Sequence, residues 1–162
     1  MRRLLVVHHA PTPSVQRLAD AVLAGARDEQ ISGVEVVVRP ALTANADDVL
    51  GCDGYLFGTP ANFGYMSGAL KHFFDTIFLT SGGALAGDGG AARPTGLGRK
   101  PYGLWVHGRY DTTGAVRSVT SIAGALPWRL GAPVLEVTGD VGEADLEAAT
   151  ELGATLAALL SD

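Results

Sequence analysis

Three short stretches combine hydroxyls, glycines and aromatics in ways that a plain chain reversal does not need. In "HAPTPSVQ", His9 to Gln16, the hydroxyls of Thr12 and Ser14 stand just ahead of a run with helical periodicity. The free N–H groups of Val15, Gln16 and Arg17 would face an anion at the positive end of that helix, and a phosphate is the natural guest. The plainer alternative is that Ser14 only caps the helix. In "PANFGYM", Pro60 to Met66, Asn62 offers amide donors and acceptors, and Gly64 lets backbone approach a ligand closely. Phe63 and Tyr65 suit stacking on a flat ring, or else they cover the core or meet another subunit. In "GRYDTTGA", Gly108 to Ala115, Arg109 could carry a phosphate or carboxylate of an incoming substrate, with Tyr110, Asp111 and Thr112 beside it. Capping of the next helix by Asp111 or Thr112 is the alternative there. His107, Tyr110 or Tyr65 could donate a proton to an acceptor.

Other chemistries find no constellation. His8 and His9 are adjacent, so an extended strand points them to opposite faces. His72 and His107 lack partners at ligand spacing, and no metal site is expected. Cys52, the only cysteine, has no arginine at phosphatase-loop spacing, and no G-x-S-x-G elbow is present.

The elements that would position these loops alternate between strand and helix. "RLLVVH" reads as a strand buried on both faces, and Val15, Leu18, Ala19, Val22, Leu23 and Ala26 form the stripe of a following helix, with Ser14 as its N-cap. "VEVVVR" is the second strand, with a short helix over Ala46 to Leu50, and "GYLFGT" is the third. A helix carrying Met66, Leu70, Phe73, Phe74, Ile77 and Phe78 follows; the spacing of Met66 with Leu70 assigns it to the core. "PYGLWVHG" is the fourth strand, trailed by a helix over Ala115 to Leu126. "PVLEVTG" is the fifth, and a helix over Glu143 to Leu160 closes the chain. This predicts an α/β three-layer sandwich around a five-stranded parallel sheet in the order 2-1-3-4-5. Ligands of such sheets bind beyond the carboxyl ends of the strands where the order reverses, here between strands 1 and 3. The three loops above are those that meet at that point. A response regulator would need acidic residues at His8-His9 and Gly58-Thr59 and is excluded.

The chain of 162 residues is the length of one domain, and its 47% apolar content suits a substantial core. Its net charge of −5 arises from 17 acidic and 12 basic residues without a basic cluster, which argues against nucleic acid. No apolar stretch suits a signal peptide or a membrane span, so a soluble cytoplasmic protein is expected. The Gly/Ala-rich segment of about residues 80–100 reads as a flexible surface insertion, or as a flap or oligomer contact. Its "GDGGAA" has no preceding strand and is not a dinucleotide fingerprint.

"DGYLFGTPANFGYMSGALKHFFD" resembles the third-strand block of the flavodoxin-like NAD(P)H-dependent FMN reductases, including WrbA-type quinone oxidoreductases. That block reads roughly G-x-P-x-x-x-G-x-M-x-x-x-x-K-x-F-x-D, matched by Gly58, Pro60, Gly64, Met66, Lys71, Phe73 and Asp75. The resemblance implies FMN, with its phosphate on Thr12, Ser14, Val15 and Gln16, and His9 also among the cofactor-binding residues. The ring would lie between Pro60, Ala61, Asn62, Phe63, Gly64 and Tyr65 on one side and His107, Gly108, Arg109, Asp111 and Thr112 on the other. It further implies NADH or NADPH as hydride donor, a quinone-like acceptor, and a dimer or tetramer. The phosphate loop departs from the usual Ser/Thr-x-Thr-x-Asn-Thr: Ala10 and Val15 take its first and last hydroxyl positions, and Pro11 and Pro13 each remove an N–H. A flavodoxin-like electron carrier, or a module of this fold that has lost flavin, are the competing expectations.

Overall fold

The computed structural model describes residues 1–83 and 99–161. In chain order its elements are β1 (Arg2–His8), α1 (Pro13–Ala26), β2 (Val34–Pro40), α2 (Ala46–Leu50), β3 (Gly54–Asn62), β4 (Tyr65–Met66), α3 (Gly68–Ile77), β5 (Lys100–Gly108), α4 (Thr113–Gly124), β6 (Trp128–Leu130), β7 (Leu135–Thr138) and α5 (Glu143–Ala158). Most of the segment expected to be an insertion, residues 84–98, lies outside the described residues.

The apolar run in β1 forms a central strand because both of its faces are covered. Leu4, Leu5, Val6 and Val7 are completely buried. Leu5 and Val7 face a core shared by Phe57, Leu104, Val106, the α3 residues Leu70, Phe73 and Phe74, and the α4 residues Val119 and Ala123. Leu4 and Val6 face the second core, where Leu56, Trp105 and Val137 meet Leu18 and Val22 of α1 and Leu152 and Leu156 of α5. The three layers expected from the sequence are therefore present.

The sheet runs β2-β1-β3-β5-β6, with β7 also pairing with β5. This is the expected 2-1-3-4-5 order, with β5 as fourth strand and β6 and β7 sharing the fifth position. Tyr102 pairs with Leu130, and Trp105 resumes the ladder with Leu135. Pro133, which has no N–H to donate, lies in the gap. The fifth strand is thus shorter than the expected Pro133–Gly139.

Two further corrections concern the loops. Thr12, not Ser14, is the N-cap of α1: it is extended (φ −123°, ψ 156°) and its side chain accepts from Val15 N–H. Met66 does not belong to α3. It forms β4, antiparallel to the end of β3, with Ala61 opposite Met66 and Asn62 opposite Tyr65. Met66 is nonetheless buried, as its apolar character predicts. Ser67 caps α3, its Oγ accepting from Leu70 N–H at 3.2 Å.

The candidate crevice beyond strands 3 and 4

β3 continues past the sheet, and Phe63 and Gly64 turn it back onto β4. Phe63 has φ 52° and Gly64 φ 79°. Two successive positive φ values at the centre of a two-residue hairpin are the signature of a type I′ turn. Glycine meets this demand freely, but an L-residue with a bulky side chain pays about 1–2 kcal/mol for it. Phe63 is the only non-glycine with positive φ among the described residues, and its ring is fully exposed.

The hairpin base is pinned from within. The buried Thr59 hydroxyl accepts from Ser67 N–H at 2.9 Å and donates to the Pro60 carbonyl at 2.8 Å. Its tip rests on the first turn of α4, where a Cβ at Gly114 would overlap the Gly64 carbonyl oxygen. Gly58 sits deeper: a Cβ there would overlap the indole of Trp105. That packing accounts for the first glycine of the third-strand block. Lys71 and Asp75 form an i,i+4 ion pair on α3, with Nζ–Oδ1 at 2.6 Å, and play no part in the crevice.

The opposite wall is the loop after β5. Asp111 accepts from Thr113 N–H at 2.9 Å. That backbone hydrogen bond holds its carboxyl below the usual carboxylate range, so it is ionised at neutral pH. β7 and the residues just after it brace this loop at several points. Thr112 Oγ1 donates to Glu136 at 2.6 Å, and His107 Nε2 meets the Gly139 carbonyl at 2.7 Å. A carbonyl only accepts, so Nε2 carries the proton in this contact. Gly139 N–H returns a bond to the Gly108 carbonyl at 2.9 Å, and Arg109 pairs with Asp140 at 2.9 Å on the exposed side.

Between hairpin and loop lies a cavity of about 430 Å³ lined by Ala61, Phe63, Gly64, Arg109, Tyr110 and Asp111. Tyr110 is largely exposed, as Phe63 is. Volume and lining fall within the range of small-molecule sites, and the backbone at Gly64 offers close approach without a side chain. A cavity of similar volume, about 420 Å³, lies between Gly131–Leu135 and α5. It carries no aromatic residue and touches none of the three loops, so we assign the crevice to the former, which is lined from the loops after β3 and β5 and does not lie, as expected, between strands 1 and 3. Of the expected ring-side residues, Pro60, Gly108 and Thr112 are buried, Asn62 and Tyr65 are exposed on the hairpin, and none of these five lines the cavity. His107 is half-buried and does not line it.

The expected phosphate end follows β1, the neighbour of β3, and is tied to it by His9 N–H donating to the Gly58 carbonyl at 3.1 Å. Here the expected donors are largely spent. Val15 N–H faces Thr12 Oγ1 at 3.4 Å and Gln16 N–H donates to the Thr12 carbonyl at 2.9 Å. The Gln16 amide donates to Asp20 at 2.8 Å. Val15's side chain is completely buried in the core. The preceding His8 is a further feature: its Nδ1 is buried without a hydrogen-bond partner, and burial lowers its pKa.

Sequence reasoning did not single out Glu136, Thr59 or Asp140. A glutamate inside the apolar run "VLEVT" was a signal for Glu136, since a charged residue there needs a reason. Among the described residues no group of three His, Cys, Asp or Glu is placed to hold a metal, and no helix is long and apolar enough to cross a membrane.

No family model matches the chain. It is 36% identical to an NAD(P)H dehydrogenase (quinone) of Acidithiobacillus ferrooxidans, over 56% of this chain and 55% of that protein. It is 35% identical to a flavodoxin of Aquifex aeolicus, over 48% of this chain and 40% of that one. The chain therefore spans about half the length of the curated relatives it matches. Among solved structures, a WrbA-like flavodoxin from Agrobacterium tumefaciens superposes with a TM-score of 0.71 at 19% identity, covering 99% of this chain and 98% of that one. The resemblance expected from the block at Gly58 to Asp75 is borne out, and the fold is that of a flavodoxin.

Proposed function

We propose that this flavodoxin-fold chain, similar to a quinone-reducing NAD(P)H dehydrogenase, binds FMN in the crevice and acts as an NAD(P)H-dependent FMN reductase or quinone oxidoreductase. The observation that carries the reading is Phe63. A residue held at positive φ with its ring in solvent costs stability, and local strain of this kind collects at functional sites. A ring-shaped ligand against the hairpin gives that cost a purpose.

Bound there, FMN would supply the redox chemistry, accepting hydride from NADH or NADPH and passing electrons to a quinone-like acceptor. The protein's share is orientation. Backbone around Asn62–Tyr65 and the Gly108–Asp111 loop would hold the ring edges, and the bonds from Glu136 and Gly139 would keep that loop in place. Tyr110, exposed at the cavity, would hand a proton to an acceptor, with Tyr65 on the hairpin as the second candidate, whereas the Nε2 proton of His107 is committed to Gly139. The Arg109–Asp140 pair is exposed and so weakly held; an incoming nicotinamide phosphate could displace Asp140 from it. A dimer or tetramer that covers Phe63 and Tyr65 belongs to the same reading.

The flavodoxin of Aquifex aeolicus supports a second reading, an electron carrier without a substrate of its own. Mixing the purified chain with FMN and then with NADH or NADPH separates them. Bleaching of the flavin bands, with turnover when a quinone is added, supports the reductase. Binding without bleaching by either nicotinamide supports the carrier, and no flavin absorbance retained by the protein overturns both.

A further inference from the structure

We infer that this crevice selects its flavin by the ring and hardly by the phosphate, so that riboflavin and FMN bind with similar strength. The inference rests on the flavin reading above. It begins with the donors that the start of α1 has left. A helix N-terminus attracts anions because its first N–H groups lack partners within the helix. Pro11 and Pro13 have no N–H at all, so within Pro11–Ser14 only Thr12 and Ser14 carry one. The next two amides, Val15 and Gln16, turn inward to the Thr12 hydroxyl and carbonyl.

Side chains do not restore what the backbone has lost. Position 15 is a completely buried valine, and position 10 is an alanine. The Gln16 amide is held by Asp20, and the Arg17 guanidinium donates to the Val141 carbonyl at 3.3 Å. His8 adds no charge, because burial keeps its imidazole neutral at pH 7. What remains is the amides of Ala10, Thr12 and Ser14, the hydroxyls of Thr12 and Ser14, and the His9 side chain. A phosphate monoester carries nearly two negative charges at pH 7 and three strong acceptor oxygens. It must shed water to reach this loop, in a chain whose net charge is already −5. Each charge-assisted hydrogen bond it fails to regain forfeits roughly tenfold in affinity. The ring end has no such deficit, since the Gly64 backbone and the rings of Phe63 and Tyr110 line its cavity beside Arg109 and Asp111.

The test is a pair of titrations of the full chain, one with FMN and one with riboflavin, followed by quenching of flavin fluorescence. The expected result is a preference for FMN of less than about tenfold. Pro13→Ala, at an exposed first helical position where alanine is well tolerated, returns one N–H to the helix start. It should tighten FMN several-fold and leave riboflavin unchanged, and Pro11→Ala repeats the experiment two residues earlier. A preference of tenfold or more in the unaltered chain overturns the inference, as does a Pro13→Ala chain in which FMN gains nothing over riboflavin. Binding of neither flavin is a different result: it removes the flavin reading, and this inference with it.

Discussion

The seam between α1 and α5 and the turn at the hairpin tip both depend on glycine, for different reasons. In the seam, a Cβ at Gly25 would overlap the Thr150 carbonyl and a Cβ at Gly153 would overlap the Val22 carbonyl. Each glycine lets the other helix's backbone approach, and both residues are buried. Neither obstacle is a side chain that could rotate away. At the turn, Gly64 is there for its φ of 79°, and the nearest atom to a Cβ would be an Asp111 carboxylate oxygen at 3.4 Å, ordinary contact. The seam glycines make room for packing, whereas Gly64 shapes a turn that faces solvent. One region should therefore control stability, and the other should control binding at modest cost to stability.

The comparison can be broken most directly in the seam. Gly153→Ala forces the helices apart against backbone, and a loss of about 3 kcal/mol or more is expected. For a chain of this size that lowers Tm by roughly 10 °C in a thermal melt followed by circular dichroism. A melt shifted by only a degree or two would mean that the helices can slide to make room.

Gly64→Val tests the turn. A β-branched residue at φ 79° costs about 2 kcal/mol, so Tm should fall by less than in Gly153→Ala. Flavin affinity should fall by at least about tenfold, because the turn must reshape. Unchanged affinity would place the slot elsewhere on the molecule.

Phe63→Asn sharpens the contrast with the smallest effect and opposite signs. Asn-Gly is the preferred pair at the centre of a type I′ turn, so stability should rise by about 0.5–1 kcal/mol. Flavin binding should weaken in fluorescence titrations as the ring is lost. If both properties fall together, Phe63 stabilises the fold and its exposure has no functional meaning.

Much of this could be read from local pattern. The buried runs and the 3.6-residue stripes located the strands and helices, since each needs only a few neighbouring residues to declare its face. The three loops followed from strand order alone. Thr12 and Met66 were misplaced for a common reason. Competing caps two residues apart are separated by backbone conformation, and an apolar residue beside a helix fits the stripe even when it belongs to a two-residue strand. Glu136 was harder, because its partner Thr112 is distant in sequence and only the pairing of β5 with β7 brings them together.

By itself the sequence determined the alternation of elements, the sheet order and the shortage of N–H groups at Pro11 and Pro13. These follow from periodicity, chain topology and the chemistry of single residues. Tertiary structure decided the rest. It split the fifth strand, set Gly25 and Gly153 against opposing carbonyls, and turned Val15 and Gln16 inward. It also held Phe63 in solvent at positive φ and enclosed a cavity against Arg109, Tyr110 and Asp111. Those outcomes depend on which distant segments meet and how closely their backbones approach, which neighbouring residues do not encode.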